Sequence, residues 1–401
     1  MRKADVIGFP TPHGSPLEAQ LSSIPSLVPR DRYAALDRCT YLNQASLGLI
    51  PVPTIEAMDA FLQETAQFGN LYLSDDQEAA ILDGVRSAGA EVLGTSSDAV
   101  AVVAGASEGL GQVTSLLEPE HGTVLLVGSD FPSVTYPWLA AAERRGISLR
   151  FIDDRADRDL TQDLVEAIDP ASVVVAFSVV QYATGTRVDA RRVAERAHEV
   201  GARVVVDATQ LAGAGIVDAV GWGADALVTS GYKWLSAHGG MALLALAPDL
   251  VDRLPALVGW KGTQHPFAFD PLALRLADDA RRFELSTMSY VSAIGLESSI
   301  AMLSSLGFER IDQHARRLAT HLVERVAELG WRPFRPLGDP SAASHIVSLR
   351  HADHDPGVTA ERLASESRII CGGRAGGLRI SLHAYNDGDD VDRLVESLRR
   401  L

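Results

Sequence analysis

Two residues near the middle of the chain, Asp207 and Lys233, have the types and the spacing for chemistry. Val204-Val205-Val206 leads into Asp207, and Ala226-Leu227-Val228 leads through Thr229-Ser230-Gly231-Tyr232 into Lys233. Short apolar runs of this kind read as buried strands. Both polar groups then fall at strand C-termini, the edge where open α/β sheets bind ligands. Lysine itself is scarce, since only Lys3, Lys233 and Lys261 contribute to the 36 basic residues. A chain that uses arginine for solvated charge keeps lysine mainly where a guanidinium cannot substitute, and a neutral amine nucleophile is one such place. Lys3 falls in a terminal segment and Lys261 in a Trp-Lys-Gly turn. Without context, Lys233 reads equally well as a lysine snorkelling from a strand end.

The context is a carboxylate ending one strand and a lysine ending the next. Pyridoxal 5′-phosphate needs this pair: an amine for the Schiff base, and a carboxylate that keeps the pyridine nitrogen protonated so that the ring draws electrons. A phosphate would need an anion site, and Gly105-Ala106-Ser107-Glu108-Gly109-Leu110-Gly111 offers one. It joins a strand to a helix, where free backbone N–H groups and the positive dipole end face an anion. No lysine follows and the glycines do not match the dinucleotide pattern, so nucleotide loops are excluded. Taken alone, a purely structural turn is as good a reading. Ser129-Asp130-Phe131-Pro132 sets a ring on the same edge, either as core or as a face that stacks on a pyridine.

The elements that must position these groups alternate. Strands are expected at 99–103, 123–127, 173–177, 204–206, 226–228 and 241–246, with helices from Glu108, Pro137 and Ala190 between them, and two earlier helices between Pro53 and Leu93. This alternation predicts an α/β fold with a mostly parallel sheet and helices on both faces. After Glu284 the pattern turns to helices, with short strands near 345–349 and 378–382 and a last helix from Asp389, a smaller α+β unit. The expected division is an N-terminal arm and loop segment over 1–50, a large domain over 51–285 and a small domain over 286–401. Prolines, glycines and serines make residues 1 to about 30 an extended arm.

Bulk properties narrow the function. With 401 residues and 46% hydrophobic composition, the chain suffices for two domains. A formal net charge of −16 argues against a nucleic-acid partner. Two cysteines make neither a disulfide framework nor a zinc site, and no metal is expected. The N-terminus lacks the apolar core of a signal peptide and the longest apolar runs are strand-sized, so a cytoplasmic protein without a membrane span is expected.

Ser230-Gly231-Tyr232-Lys233 downstream of Asp207-Ala208-Thr209-Gln210 resembles the class V aminotransferase family of fold-type-I pyridoxal phosphate enzymes, which includes cysteine desulfurases, kynureninases and isopenicillin-N-epimerase-like proteins. The resemblance runs from Tyr41 to Leu394 and implies a seven-stranded-type sheet. It implies that Lys233 anchors the cofactor as a Schiff base, Asp207 pairs with the pyridine nitrogen and Gln210 meets the phenolic oxygen. Ala106, Ser107, Ser230 and Tyr232 would hold the phosphate, and Phe131 would stack on the ring as in the kynureninase-like Asp-Phe-Pro pattern. Arg282-Phe283-Glu284-Leu285-Ser286-Thr287 resembles a segment whose threonine, here Thr287, reaches the phosphate of a neighbouring subunit, which implies a homodimer with active sites at the interface. Arg379 matches the arginine that forks onto a substrate carboxylate, a task suited to guanidinium. Asn43, Ser46, Gln181 and Arg374 are the remaining substrate-binding candidates, Gln181 as a contact to cofactor or substrate.

Departures from the family matter equally. A desulfurase needs a mobile cysteine in the loop before Arg379, whereas Cys371 precedes the glycines there and reads as a structural thiol. Tyr232 replaces the common histidine before the lysine, leaving Lys233 to shuttle protons. The expected activity is therefore a lyase that eliminates a β-leaving group, with C–S cleavage, from a cysteine-derived amino acid. Transamination, epimerisation and decarboxylating deamination are the alternatives on the same scaffold. Outside this chemistry, a non-catalytic binding protein is the remaining reading.

Overall fold

The computed structural model describes residues 24–401; the expected arm up to residue 23, with Lys3, lies outside the described residues. Thr40–Tyr41 forms β1. The large sheet follows with β2 (Val100–Val103), β3 (Thr123–Val127), β4 (Ser148–Ile152), β5 (Ser172–Ser178), β6 (Arg203–Asp207), β7 (Ala226–Ser230) and β8 (Ala242–Leu246), in the order β2-β8-β7-β6-β5-β3-β4. Only β8 runs against its neighbours β7 and β2; the other pairings are parallel. The fold is thus the expected α/β class with a mostly parallel sheet.

Alternate residues of the central strands feed two cores. Val102, Leu125, Phe177, Val204 and Val206 face a layer that includes the helices Val52–Phe68, Asp75–Leu93 and Ala190–Glu199. Val103, Leu126, Ala176 and Val205 face the helices Ala106–Leu117 and Pro132–Arg145. Burial on both faces explains why these strands read as unbroken apolar runs. The parallel partners Ser178 and Asp207 lie side by side on β5 and β6, and Asp207 pairs with Val228 on β7. Three strands thus deliver their polar ends to one edge.

Two departures from expectation have local causes. The edge strand β4 and the helix Leu160–Ala167 escape the sequence reading because β4 is mostly exposed and carries no apolar run. The helix expected from Pro137 begins at Pro132, directly after the extended Phe131. A proline in the first turn costs no hydrogen bond, and Pro137 is accommodated inside the helix.

A second sheet contains β9 (Arg332–Pro333), β10 (Ile346–Arg350), β12 (Gly372–Arg374) and β13 (Gly377–Ser381), antiparallel in the order β12-β13-β10-β9. It shares a core with the helices Phe308–Val326, Pro356–Ser367 and Gly388–Arg399. Between β10 and β12, β11 (Ile369–Ile370) pairs in parallel with β1, which draws the loop after Tyr41 alongside β13. The helix Tyr290–Leu306, grouped by sequence with the small unit, contributes Tyr290, Leu296 and Ile300 to a core of the large one.

Candidate active site

At the C-terminal edge of the large sheet lies a cleft lined by Ala106, Ser107, Phe131, Asp207, Ser230, Tyr232 and Lys233 among others. One end is built from helix starts. The helix Ala106–Leu117 has Gly105 as its N-cap with no side-chain cap bond. Its first-turn N–H groups are accordingly available to an anion. Ser107 Oγ lies 2.6 Å from the hydroxyl of Ser133, in the first turn of the helix Pro132–Arg145, and both serines line the cleft. A Cβ at Gly105 would meet no protein atom within 4 Å. Glycine here leaves room in the cleft rather than serving a packing contact.

At the other end, Asp207 and Lys233 are 5% and 6% exposed. Asp207 accepts the Thr209 N–H at 2.7 Å. Burial pushes its carboxyl up, while Thr209 and the Lys233 ammonium hold it down. Burial pulls Lys233 down; Asp207 opposes this and Arg379 adds to it, leaving the amine at about 8. A lysine at that value is neutral in roughly one molecule in ten at pH 7, far more than an exposed lysine. Nζ sits 5.1 Å from the Phe131 ring centre and 5.6 Å from that of Tyr232. An anion cradle, a nucleophilic amine and a buried carboxylate around one cleft fit pyridoxal 5′-phosphate.

Arg379 on β13 is 1% exposed. Its Nη1 donates to the Tyr182 carbonyl at 2.8 Å and its Nη2 to Asn43 Oδ1 at 3.2 Å and to Ser46 Oγ. Nε has no partner, and no carboxylate among the described residues forms an ion pair with the group. Burial, with help from the Arg374 charge, pulls it down to about 10. A buried cation without a counter-ion is costly unless an anion arrives. The loop carrying Asn43 and Ser46 is tied to both halves of the site: Gln44 Nε2 donates to the Lys233 carbonyl at 3.0 Å, and Ala45 N–H to Ser381 Oγ at 3.2 Å.

Other candidates lie differently. Gln210 lines the cleft, but its Oε1 accepts from Trp234 Nε1 at 2.7 Å and one N–H goes to the Ala45 carbonyl at 3.1 Å, leaving a single N–H for a ligand. Gln181, expected to contact cofactor or substrate, is instead turned inward, where it donates to the Ser178 carbonyl and to Asp130 and accepts from Ser129. Thr287 is exposed and outside its own chain's cleft, and Arg374 is exposed on β12 with a bond to the Gly373 carbonyl. The cleft also contains Ser133, Ser178, Tyr182 and Thr209, which the sequence reading did not assign. Thr209 and Ser133 stand within the quoted or adjoining motifs, whereas Tyr182 has no local signal. Asp130, buried and raised to about 6 chiefly by burial, accepts from the Phe131 and Ser178 backbone N–H groups and so fixes the backbone at Phe131.

Cys371, between β11 and β12, has a thiol that burial pushes up to about 12. Such a thiol is not a ready thiolate nucleophile. Among the described residues, no group of three or more His, Cys, Asp or Glu is placed to hold a metal ion, and no single helix is long and apolar enough to cross a membrane.

Residues 40–394 match the family described as Aminotransferase class-V. A probable cysteine desulfurase of Methanothermobacter thermautotrophicus is 27% identical over 384 residues, covering 90% of this chain and 94% of its own. Among solved structures, the apo cysteine desulfurase of Thermococcus onnurineus superposes with a TM-score of 0.83 at 24% identity, covering 93% of this chain and 98% of its own. The cystine C–S lyase C-DES, in complex with its reaction product cysteine persulfide, superposes with a TM-score of 0.83 at 21% identity, covering 91% of this chain and 98% of its own.

Proposed function

The chain belongs to the class V aminotransferase family, and from that premise we propose that it is a pyridoxal-phosphate-dependent lyase that cleaves the C–S bond of a cysteine-derived amino acid by β-elimination. The observation that carries this reading is the pairing of Arg379, which has no counter-ion among the described residues, with the Lys233 cleft, beside a Cys371 thiol held at about 12. The first supplies a seat for an amino acid; the second removes the thiolate that would be needed to take the sulfur onto the enzyme. Sulfur then leaves on the substrate's own fragment.

Bound in the cleft, the cofactor supplies an electron sink for the bonds at the substrate α-carbon. Ser107, Ser133 and the first-turn N–H groups of the helix Ala106–Leu117 would hold its phosphate, with Ser230 and Tyr232 nearby. Phe131 would cover the ring face, and Asp207 would hold the proton at the ring nitrogen. Lys233 anchors the cofactor and, when free, takes the α-proton on its neutral amine, which its lowered affinity for protons favours. Arg379, with Asn43 and Ser46, orients the carboxylate. Arg374 is close enough for its charge to lower the proton affinity of Arg379.

The working unit in this reading is a homodimer. Thr287 is exposed, and the neighbouring loop presents Leu254, Leu257, Phe269, Leu272 and Leu274 to solvent. Gly259 of that loop packs so tightly on Leu285 that a Cβ would fall 1.7 Å from its carbonyl oxygen. An apolar surface of this kind beside Thr287 supports burial against a second copy. The two unpaired cysteines suit the cytoplasm.

Incubation of the holoenzyme with cystine and a set of cysteine S-conjugates tests the reaction. The expected products are pyruvate and ammonia in step with the released thiol species. Absence of pyruvate from every conjugate would sink the lyase reading, and conversion of the bound cofactor to its amine form by an amino acid alone would replace it with transamination.

A further inference from the structure

The segment between β5 and the helix Ala190–Glu199 is held far more firmly than a connecting loop requires. Val180 bridges Arg187, Gln181 N–H donates to the Thr186 carbonyl at 2.8 Å and Gly185 N–H to the Gln181 carbonyl at 2.9 Å, which closes a tight turn with Tyr182 within it. Gly185 takes φ +73°, and a Cβ there would fall 2.1 Å from the Ile346 carbonyl oxygen, so the turn presses directly on the small sheet. Thr184 and Thr186 donate to Asp154 at 2.6 Å and 3.0 Å, and the buried Arg335 reaches both Thr186 Oγ1 at 2.7 Å and Asp154 Oδ1 at 2.9 Å. A buried ion pair contributes little stability by itself. Here every member of the network fixes the turn that carries Tyr182.

That turn puts Tyr182 between the two halves of the site. Its ring lies edge-on to Phe131, with centroids 5.4 Å apart and planes at 83°, and it lines the cleft that contains Lys233. Its carbonyl accepts from Arg379 Nη1 at 2.8 Å. Tyr182 thus shares the cleft with Lys233 and touches Arg379 through its carbonyl. The phenol hydroxyl makes no hydrogen bond to the described residues.

We infer that Tyr182 is a substrate-contacting, specificity-determining residue, whose hydroxyl joins Arg379 in hydrogen-bonding the substrate carboxylate and thereby selects ligands that carry one. The inference rests on the proposed function, because the seat it completes is that of an amino acid bound beside pyridoxal phosphate. It extends the carboxylate site from Arg379, Asn43 and Ser46 to the residue whose carbonyl accepts from Arg379.

The test is spectral titration of the holoenzyme and of its Tyr182→Phe variant with glycine and with methylamine, the same amine lacking the carboxylate. The phenyl ring keeps the contact with Phe131, so the visible cofactor band is expected to persist. Glycine is expected to bind about tenfold more weakly to the variant, as for loss of one hydrogen bond to a charged group, while methylamine binds within about twofold of wild type. Unchanged glycine affinity overturns the inference, and so does equal weakening of both ligands. Loss of the band in the variant also overturns it, by moving Tyr182 into the cofactor's own site. A wild-type protein with no band fails earlier, and the cofactor reading fails with it.

Discussion

At the scale of single residues, the site depends on two cations that burial has made less willing to carry charge. Lys233 is lowered to about 8, so its neutral fraction grows steeply between pH 7 and pH 9, instead of near the ordinary value of 10.5. Uptake of pyridoxal phosphate by the apoenzyme should rise with pH around a midpoint near 8, followed as growth of the visible band. A midpoint near that of an exposed lysine would show that the cleft does not tune the amine. Arg379 is the other case. The planar fork of a guanidinium cannot be reproduced by an ammonium, so if Arg379 holds the carboxylate as proposed, Arg379→Lys should raise KM for the amino-acid substrate by about tenfold or more with a smaller change in kcat. A variant with unchanged KM would remove Arg379 from the substrate site.

At the scale of elements, the joint between the two sheets determines whether these residues meet. Trp234, next to Lys233, packs edge-on against His345 and stacks on His383, with ring centres 4.5 Å and 5.5 Å away. His345 reaches the Gln210 carbonyl, and His383 reaches the Trp234 carbonyl at 3.2 Å. Burial lowers these rings to about 4 and about 3. The unfolded chain takes up protons there below roughly pH 6.5 while the folded one does not. Stability from these groups is therefore complete above that pH and lost as pH falls toward 4. Asp130, raised to about 6, works in the opposite direction, so the comparison between chains is what isolates the histidines. His383→Gln should flatten the fall of the urea midpoint between pH 6.5 and pH 4; an unchanged slope would contradict the linkage. The turn at Gly185 should be equally unforgiving. Its positive φ and contact with Ile346 make Gly185→Ala cost about 3 kcal/mol, readable as a lowered urea midpoint.

At the scale of the whole molecule, the proposed dimer predicts complementation. If Thr287 serves the partner's phosphate, mixing Lys233→Ala chains with chains altered at Thr287 should restore part of the activity through hybrid dimers, and no recovery would place each site within one chain. The central strands and the residues at their ends were legible in the sequence because a strand buried on both faces has no choice but to read as apolar and to stop at polar chemistry. Asp207, Lys233 and the strand-to-helix junction after Val103 follow from that constraint, although the helix starts at Ala106 and not at the expected Glu108. The edge strand β4 was not legible, because exposure removes the pattern. Nor were Tyr182 and the inward turn of Gln181, since both depend on contacts with Phe131, Asp130 and Arg379 that are distant along the chain.

The central claim is that the cleft seats pyridoxal phosphate on Lys233, and the visible absorption spectrum of the purified protein after incubation with the cofactor tests it most directly. The account predicts a visible band that persists through gel filtration in the wild type and is missing from Lys233→Ala. A colourless wild-type protein that retains no pyridoxal phosphate, or a band unchanged by the substitution, would contradict it.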